Sequence, residues 1–480
     1  MKRVLAFDLG GSSGRAILAE YKNGQLTWQQ VHRFENRPRD VDGLFCWDFE
    51  DLMANIQLSM DLAGNFDSIG VDTWGVDFGL LDEQGKLLGD PVHYRDARTN
   101  GEVERALSVL SAQQLYAATG NQIMPINTLF QLQALRRQQP EIWKRAHRLL
   151  FMPDLIIHRL CGAEICETTI ASTSQMLDPS TGNWSRTVLD AFDIPENKFA
   201  PLVASGTVVG QYKNAQVIAV AGHDTQCAVA AMPIGEDEDV AFLSCGTWSL
   251  LGCELPTPIL SDTSRESELS NEIGANRKIQ YLKNMIGLWL IQESRRQWQR
   301  EGTTYTYGQL EELAQQAAPF RSFIDPAAPE FTPPGNIPER VRAFCRRTHQ
   351  PVPETIGQVI RCIYESLALQ SNMTLKQLSQ LTGRKFSTLH MLGGGVQSEL
   401  LCRMHADCTG RTVFAGPVEA TALGNIIIQL SALKEIEGLE AGRTLIAKTE
   451  PVRQYVPQHL EHWKKAYERY HAIIEQEEYK

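Results

Sequence analysis

Ala6-Phe7-Asp8-Leu9-Gly10-Gly11-Ser12-Ser13-Gly14-Arg15-Ala16-Ile17-Leu18-Ala19 reads as an apolar strand, a turn of glycines and serines, and a second apolar strand. Far downstream, Ala241-Phe242-Leu243-Ser244-Cys245-Gly246-Thr247-Trp248-Ser249-Leu250-Leu251-Gly252 has the same plan. Phosphate oxygens need several N–H donors at close range. Glycine removes the Cβ that would block the approach, and serine or threonine adds hydroxyl donors. Gly10, Gly11, Ser12, Ser13 and Gly14 meet that need, and Arg15 adds a cation. Gly246 and Thr247 meet it in the second copy. Either turn alone is an ordinary glycine-rich hairpin. The pair points to two related domains serving one nucleotide, and so to phosphoryl transfer.

Working outward, a chain of 480 residues exceeds one core and calls for at least two domains. Its 43% hydrophobic content is that of a globular protein. A net charge of −11 argues against a nucleic-acid partner or an anionic membrane. No stretch is apolar for long enough to span a bilayer, and Asp8 interrupts the N-terminal apolar run before it resembles a signal peptide. The expected location is the cytoplasm. The ten cysteines are scattered, as reduced buried thiols are. Cys345 and Cys362 flank a proline-containing turn; a disulfide between them and free thiols are both open, with the compartment favouring thiols. Cys402, His405 and Cys408 share the spacing of half a zinc site, but spacing by three also just marks one helix face.

Strand patterns fall at Val4–Phe7, Ala16–Glu20, Ser68–Val71, Val76–Leu81 and Val217–Ala221, with hairpin turns at Gly24 and at Gln84-Gly85-Lys86. Helical patterns run over Asp51–Ala63, Thr128–Arg137, Pro140–Ala146 and Ile356–Leu378. The acidic break Gly235-Glu236-Asp237-Glu238-Asp239 marks a domain boundary. Ser261 to Asn276 is polar and reads as a surface excursion, and Ala327 to Pro338 as a loop. The alternation of strands and helices in both halves gives an α/β class. The expected domains are residues 1–236 and 237–435, followed by a helical tail over 436–480.

Five further features carry chemistry. Asp8 ends an apolar strand beside the first turn, where a carboxylate can hold Mg²⁺ through waters or simply cap the turn. Its counterpart in the second copy is taken as Leu243, so the turn itself does not demand an aspartate. Gly222-His223-Asp224-Thr225 follows an apolar strand and opens a helix. Asp224 there can accept a hydroxyl proton during attack on phosphorus or serve as an N-cap; the residues alone do not choose. Asp72-Thr73-Trp74-Gly75-Val76-Asp77-Phe78 suits a sugar, with carboxylates for hydroxyls and Gly75 for close approach, or a bulged strand with a core tryptophan. Tyr94-Arg95-Asp96-Ala97-Arg98-Thr99 reads as a loop that lines a cleft or forms surface ion pairs. Finally, Leu389 to Leu392 runs into Gly393-Gly394-Gly395, a turn on which adenosine or its phosphates can pack. Neither G-x-G-x-x-G nor a Walker A sequence occurs, which disfavours dehydrogenases and P-loop enzymes.

Taken in order, these segments, with Lys283-Asn284-Met285-Ile286-Gly287-Leu288-Trp289-Leu290 and Gly416-Pro417-Val418-Glu419-Ala420, resemble the FGGY family of carbohydrate kinases. The resemblance covers roughly Val4 to Leu433. It implies a two-domain actin/hexokinase-like (ribonuclease H-like) kinase fold with a central cleft, and ATP- and Mg²⁺-dependent phosphorylation of L-rhamnulose at its 1-hydroxyl, in L-rhamnose catabolism. It makes Asp224 the proton acceptor and Asp8 the metal residue. Gly75, His223, Asp224, Thr225 and Asn284 would contact the sugar. Gly11, Ser12, Ser13, Gly14, Arg15, Thr247, Gln292 and Gly394 would contact ATP. The family's first turn usually reads Asp-x-Gly-Thr-x-Ser, and here Gly11 and Ser12 replace part of it. A kinase for another ketose or polyol such as fuculose or xylulose, a sugar sensor on the same scaffold and an actin-like filament protein are the competing readings.

Overall fold

The computed structural model describes residues 1–234 and 239–478; of the acidic segment 235–239 read as a domain boundary, all but Asp239 lies outside them. The chain divides into two compact units. One comprises Met1–Glu236, Glu254–Leu282 and Ala420–Glu450; the other comprises Asp237–Cys253, Lys283–Glu419 and Pro451–Lys480.

The first unit is built on a six-stranded sheet in the order Thr207–Tyr212, Ala215–Ala219, Ser68–Thr73, Lys2–Leu9, Ser13–Lys22, Gln25–Glu35. Lys2–Leu9 is buried on both faces, which its unbroken apolar run anticipates. It runs antiparallel to Ser13–Lys22 and parallel to Ser68–Thr73, which is in turn parallel to Ala215–Ala219. Asn23 and Gly24 turn the second strand into the third with φ of 52° and 78°, the left-handed pair of a tight hairpin. The helix Ala420–Ala432 returns from the far end of the sequence to this unit. Its Leu423, Ile426, Ile427 and Leu430 pack with Val4, Ala6, Ile17 and Ala19. Gln429 and Asn425 donate to the carbonyls of Leu5 and Phe7.

The second unit repeats the plan. Val240–Cys245 is antiparallel to Trp248–Leu255 and parallel to Thr388–Leu392. Thr412–Ala415 follows in parallel, and Arg453–Tyr455 closes the order antiparallel. The helix Ile356–Thr382 starts at a capping box between Thr355 and Gln358 and stops at Gly383, which is left-handed with φ of 70°.

Several sequence expectations are corrected. Val76–Leu81 is not one strand: pairing starts at Phe78, and Val76 has φ of 69°, costly for a β-branched residue. Its backbone is held there by Thr173, whose hydroxyl accepts from Val76 N–H, and by Thr128, which donates to its carbonyl. The strand before Gly222 stops at Ala219, short of Ala221. Ser261 to Asn276 is no surface excursion. It holds the helix Asp262–Glu266 and the fully buried strand Ser270–Ile273. Its polar side chains find partners inside: Ser264 meets Tyr116 and Tyr281, and Asn271 donates to the carbonyls of Gly120 and Ile259. Residues 436–480 are more than a tail. They comprise the helix Gly438–Thr449 of the first unit, the last strand of the second unit's sheet, and the helix Leu460–Glu478.

Candidate active site

Three parallel strands of the first unit end side by side, and residues at or just beyond their ends carry the polar groups of the site. This is where open α/β sheets bind ligands. Asp8 pairs in register with Asp72 on the neighbouring strand and with Arg15 across the hairpin. Beyond the strands the alignment continues: Thr73 N–H donates to the Gly222 carbonyl, and Trp74 N–H to that of Leu9. The Asp72–Asp77 segment and His223-Asp224 are therefore neighbours, and both adjoin the first turn.

In that turn, Gly10 N–H donates to the Ser13 carbonyl. Asn36 clasps it from outside, its backbone N–H on the Ser12 carbonyl and its side chain on that of Gly10. A Cβ on Gly14 would stand 2.4 Å from Phe34, so this glycine is required by packing. A Cβ on Gly11 would come within 3.3 Å of the Tyr94 hydroxyl, which stands beside the turn. Arg15 Nη2 lies 2.5 Å from Asp8 Oδ2. The rest of the Tyr94–Thr99 cluster is not a set of surface ion pairs. Asp96 caps the short helix Ala97–Thr99, and buried Arg98 donates to Gln131.

Asp72 is fully buried. Asn425 donates to its Oδ2 at 2.7 Å, while Oδ1 has no hydrogen-bond partner. Burial first, and then the charge of Asp8, hold its carboxyl well above the usual range. Two neighbouring carboxylates, one with an unpartnered oxygen, are hard donors of the kind Mg²⁺ takes together with phosphate oxygens and water. Among the described residues no group of three His, Cys, Asp or Glu side chains gathers as a metal site. The donor set thus fits a cation shared with a nucleotide, not a cation held by protein alone.

Asp224 is the first residue of the helix Asp224–Ala230. His223 occupies the cap position, and no side chain caps the helix. The Asp224 carboxylate is therefore not consumed as an N-cap. Its Oδ1 accepts from the Thr225 hydroxyl at 3.2 Å and lies 3.5 Å from His223 Nε2. Burial raises its pKa above the ordinary value, His223 opposes this, and Asp8 adds to it. On the other side of the imidazole, Nδ1 is 3.0 Å from Glu272 Oε2; the contact is off the ideal hydrogen-bond direction and is held as an ion pair. Burial alone would lower the His223 pKa, but the charge of Glu272, with Asp224 and Glu167 behind, holds it above its usual value. Glu167 anchors the loop below. Its Oε2 accepts from Gly222 N–H at 2.9 Å and from the Thr169 hydroxyl at 2.6 Å, and Thr169 Oγ1 accepts from His223 N–H. Gly75 lies against Thr173, 3.3 Å from where its Cβ would be.

The second unit carries its own cluster. Gly246 N–H donates to the Trp248 carbonyl, closing the second turn as Gly10 closes the first. That equivalence matches Asp8 with Ser244, not with Leu243; the carboxylate is absent from the second copy either way. The backbone N–H groups of Gly287, Leu288 and Trp289 bond the carbonyls of Thr247 and Gly246. The helix Trp289–Arg300 starts there, and the Thr247 hydroxyl donates to Gln292 Oε1 at 3.2 Å. Asn284 lies on the strand Ile279–Ile286, in a stretch that belongs to this unit. The three glycines differ in purpose. Gly393 is left-handed at φ of 82°, a Cβ on Gly395 would strike Cys245 Sγ at 2.3 Å, and Gly394 faces open space.

The structure thus gathers Asp8, Gly11 to Arg15, Gly75, His223, Asp224 and Thr225 in the first unit. It gathers Thr247, Gln292 and Gly394 in the second. Asp72, read in the sequence as a carboxylate for sugar hydroxyls, stands beside Asp8 with Asn425 on it. Glu167, Glu272 and Asn425 sit in stretches with no local sequence signal. His405 is taken up by Leu401 and Ser371, and none of the ten cysteines, Cys345 and Cys362 included, is in a disulfide. Among the described residues no helix is long and apolar enough to cross a membrane.

Comparison with known proteins identifies the family. The N-terminal domain of the FGGY family of carbohydrate kinases matches residues 3–244, and the family's C-terminal domain matches residues 241–433. A rhamnulokinase of Bacillus subtilis is 36% identical over 95% of this chain and 96% of its own length. One of Enterococcus faecalis is 40% identical over 95% and 94%. Among solved structures, a xylulose kinase from Lactobacillus acidophilus superposes with a TM-score of 0.79 at 17% identity, over 98% of both chains. A Plasmodium falciparum glycerol kinase with ADP gives 0.78 at 16%, over 99% and 98%. These two similarities speak to the fold alone.

Proposed function

The chain belongs to the FGGY family of carbohydrate kinases, and we propose that its sugar is L-rhamnulose, phosphorylated by ATP at the 1-hydroxyl to give L-rhamnulose 1-phosphate and ADP. The observation that carries the choice of sugar is the 36–40% identity, across about 95% of the chain, to proteins named rhamnulokinase. The reaction belongs to L-rhamnose catabolism, and we place it in the cytoplasm, where ten cysteines without a disulfide stay reduced.

Asp224 is the general base. Its carboxylate accepts the proton of the 1-hydroxyl while that oxygen bonds to the γ-phosphorus and the bond to the β-bridging oxygen breaks, releasing ADP. The raised pKa of Asp224 brings its basicity nearer neutrality, where proton transfer is best matched. Gly75, His223, Thr225 and Asn284 are assigned to the sugar. Gly11, Ser12, Ser13, Gly14, Arg15, Thr247, Gln292 and Gly394 are assigned to the nucleotide. Asp8 is assigned to Mg²⁺, which when bound supplies charge neutralisation on the phosphates. Arg15 is paired with Asp8 beside the turn, and a guanidinium there supports its assignment to phosphate oxygens.

The test is ATP turnover, followed by ADP release, against L-rhamnulose, L-fuculose and D-xylulose. The highest kcat/KM is expected with L-rhamnulose. Equal or better turnover of another ketose would replace the sugar and leave the kinase. With Asp8→Asn, the Mg²⁺ concentration for half-maximal activity is expected to rise; an unchanged metal titration would make Asp8 structural.

A further inference from the structure

His223 stands between two carboxylates, with Nδ1 3.0 Å from Glu272 Oε2 and Nε2 3.5 Å from Asp224 Oδ1. A neutral imidazole carries one N–H and one lone pair. Whichever tautomer it took, a lone pair would face a carboxylate oxygen. The doubly protonated ring instead brings a positive charge to both carboxylates. Glu272 is itself fixed: it is buried on the strand Ser270–Ile273, in register with Gln280, and its Oε2 accepts from Gln226 Nε2 at 2.9 Å. Gln226 lies on the same short helix as Asp224, so one carboxylate orients both the ring and the helix that bears the base.

We propose that Glu272 is a positioning residue for the kinase reaction, holding His223 as an imidazolium so that the buried Asp224 remains an ionised proton acceptor. The inference rests on the reading of Asp224 as the base. Without the cation beside it, Asp224 would keep only the Thr225 hydrogen bonds against burial and the negative charge of Asp8, both of which favour its neutral form. The charged groups facing His223 are Glu272 from the strand Ser270–Ile273, Asp224 from its own helix and Glu167 from beneath the Gly222 loop. Glu167 is engaged by four donors there and is not free to replace Glu272. The sign of the effect follows. Removing the Glu272 charge leaves burial to push the His223 proton off, the neutral ring no longer favours ionised Asp224, and the acidic limb of activity moves to higher pH.

The test uses Glu272→Gln, which keeps the shape and an oxygen for Gln226. Ring-nitrogen chemical shifts of ¹⁵N-histidine-labelled full-length protein, assigned with His223→Gln, report the His223 protonation state without any substrate. At neutral pH the wild-type ring is expected to be doubly protonated and the Glu272→Gln ring singly protonated. In turnover, the variant is expected to lose several-fold more kcat at pH 6 than at pH 8, with KM for the ketose little changed. Glu272→Asp should restore part of the acid limb, and adding Glu272→Gln to His223→Gln should change nothing further. A neutral wild-type ring overturns the proposal even if the variant fails to fold. So does an unmoved acid limb in a folded variant. A wild-type protein that phosphorylates no ketose overturns the kinase reading instead, and the ring spectrum still stands on its own.

Discussion

At the scale of single residues, Asp224 sits where the first turn of a helix leaves N–H groups unpaired and where no side chain caps them. Asp224→Asn keeps the shape and removes the proton acceptor. We expect turnover to fall by about two to four orders of magnitude with ketose binding retained, the usual size of a lost general base. Isothermal titration with sugar alongside turnover checks it, and near-normal turnover would remove Asp224 from the base role. His93 carries a different consequence. It stacks on Trp47 with centroids 4.1 Å apart, and its Nδ1 accepts from Arg95 N–H at 2.9 Å. Burial, helped by Arg95, lowers its pKa from 6.5 to about 3. The unfolded chain binds a proton there that the folded chain refuses. The stability His93 confers is therefore present above pH 6.5 and lost as pH falls toward 3. Asp77, raised by burial to about 6, works the other way between pH 6 and 3.8 and offsets part of that loss. His93→Gln is expected to flatten the decline of the urea midpoint from pH 6.5 down to about 4; an unchanged slope would mean that His93 titrates normally.

Between elements, glycines separate packing from binding. In the first unit, the helix Ala420–Ala432 crosses the helix Asp224–Ala230 so closely that a Cβ on Gly424 would fall 1.8 Å from the Cys227 carbonyl oxygen. Gly424→Ala must push the two helices apart, and since backbone cannot yield as a side chain tip does, we expect about 3 kcal/mol of destabilisation, at the upper end for overpacking. Gly394→Ala meets no protein atom within 4 Å. Its stability should stay within about 0.5 kcal/mol of the parent, while KM for ATP rises if the nucleotide packs there. Melting curves and ATP kinetics on the two variants form one experiment, and a stable Gly424→Ala or an unchanged KM in Gly394→Ala would each break its half. Helix ends matter at this scale too. Arg443 is buried, donates to the Val229 and Ala230 carbonyls that end the Asp224 helix, and pairs with Glu254. A cation at a helix C-terminus satisfies both its dipole and its free carbonyls.

Across the whole molecule, each unit is assembled from three separate stretches of chain. Leu445 and Ile446 complete the core that contains Val4 and Ile17, while Trp463 and Tyr470 are buried in the last helix. A chain stopped at Glu435, just past the span the family's domains match, loses all four of these side chains. Each buried large side chain is worth about 2–5 kcal/mol, and the whole molecule has only about 5–15 kcal/mol to lose. We expect the truncated protein to be insoluble or to lack a cooperative melt; a sharp transition near that of the full chain would show that residues 436–480 are dispensable.

Local features were legible before folding. The two glycine-and-hydroxyl turns, the apolar strands around them, the hairpin turn at Gly24 and the helix read over Ile356–Leu378 follow from residues within a few positions of each other, where steric and hydrogen-bonding preferences act. Asp8, Asp224 and Thr247 could be singled out because each stands at the end of such a pattern. Tertiary structure alone decided what those residues touch. The polar run Ser261–Asn276 reads as exposed because composition cannot reveal partners that lie far away in the chain, such as Tyr116, Gly120 and His223. Buried polar groups are stable only when paired, and their pairing is set by folding. Glu272 beside His223, Asn425 on Asp72 and Glu167 beneath Gly222 are contacts between residues about fifty to three hundred and fifty positions apart. The charge states on which the chemistry depends are therefore a property of the folded arrangement.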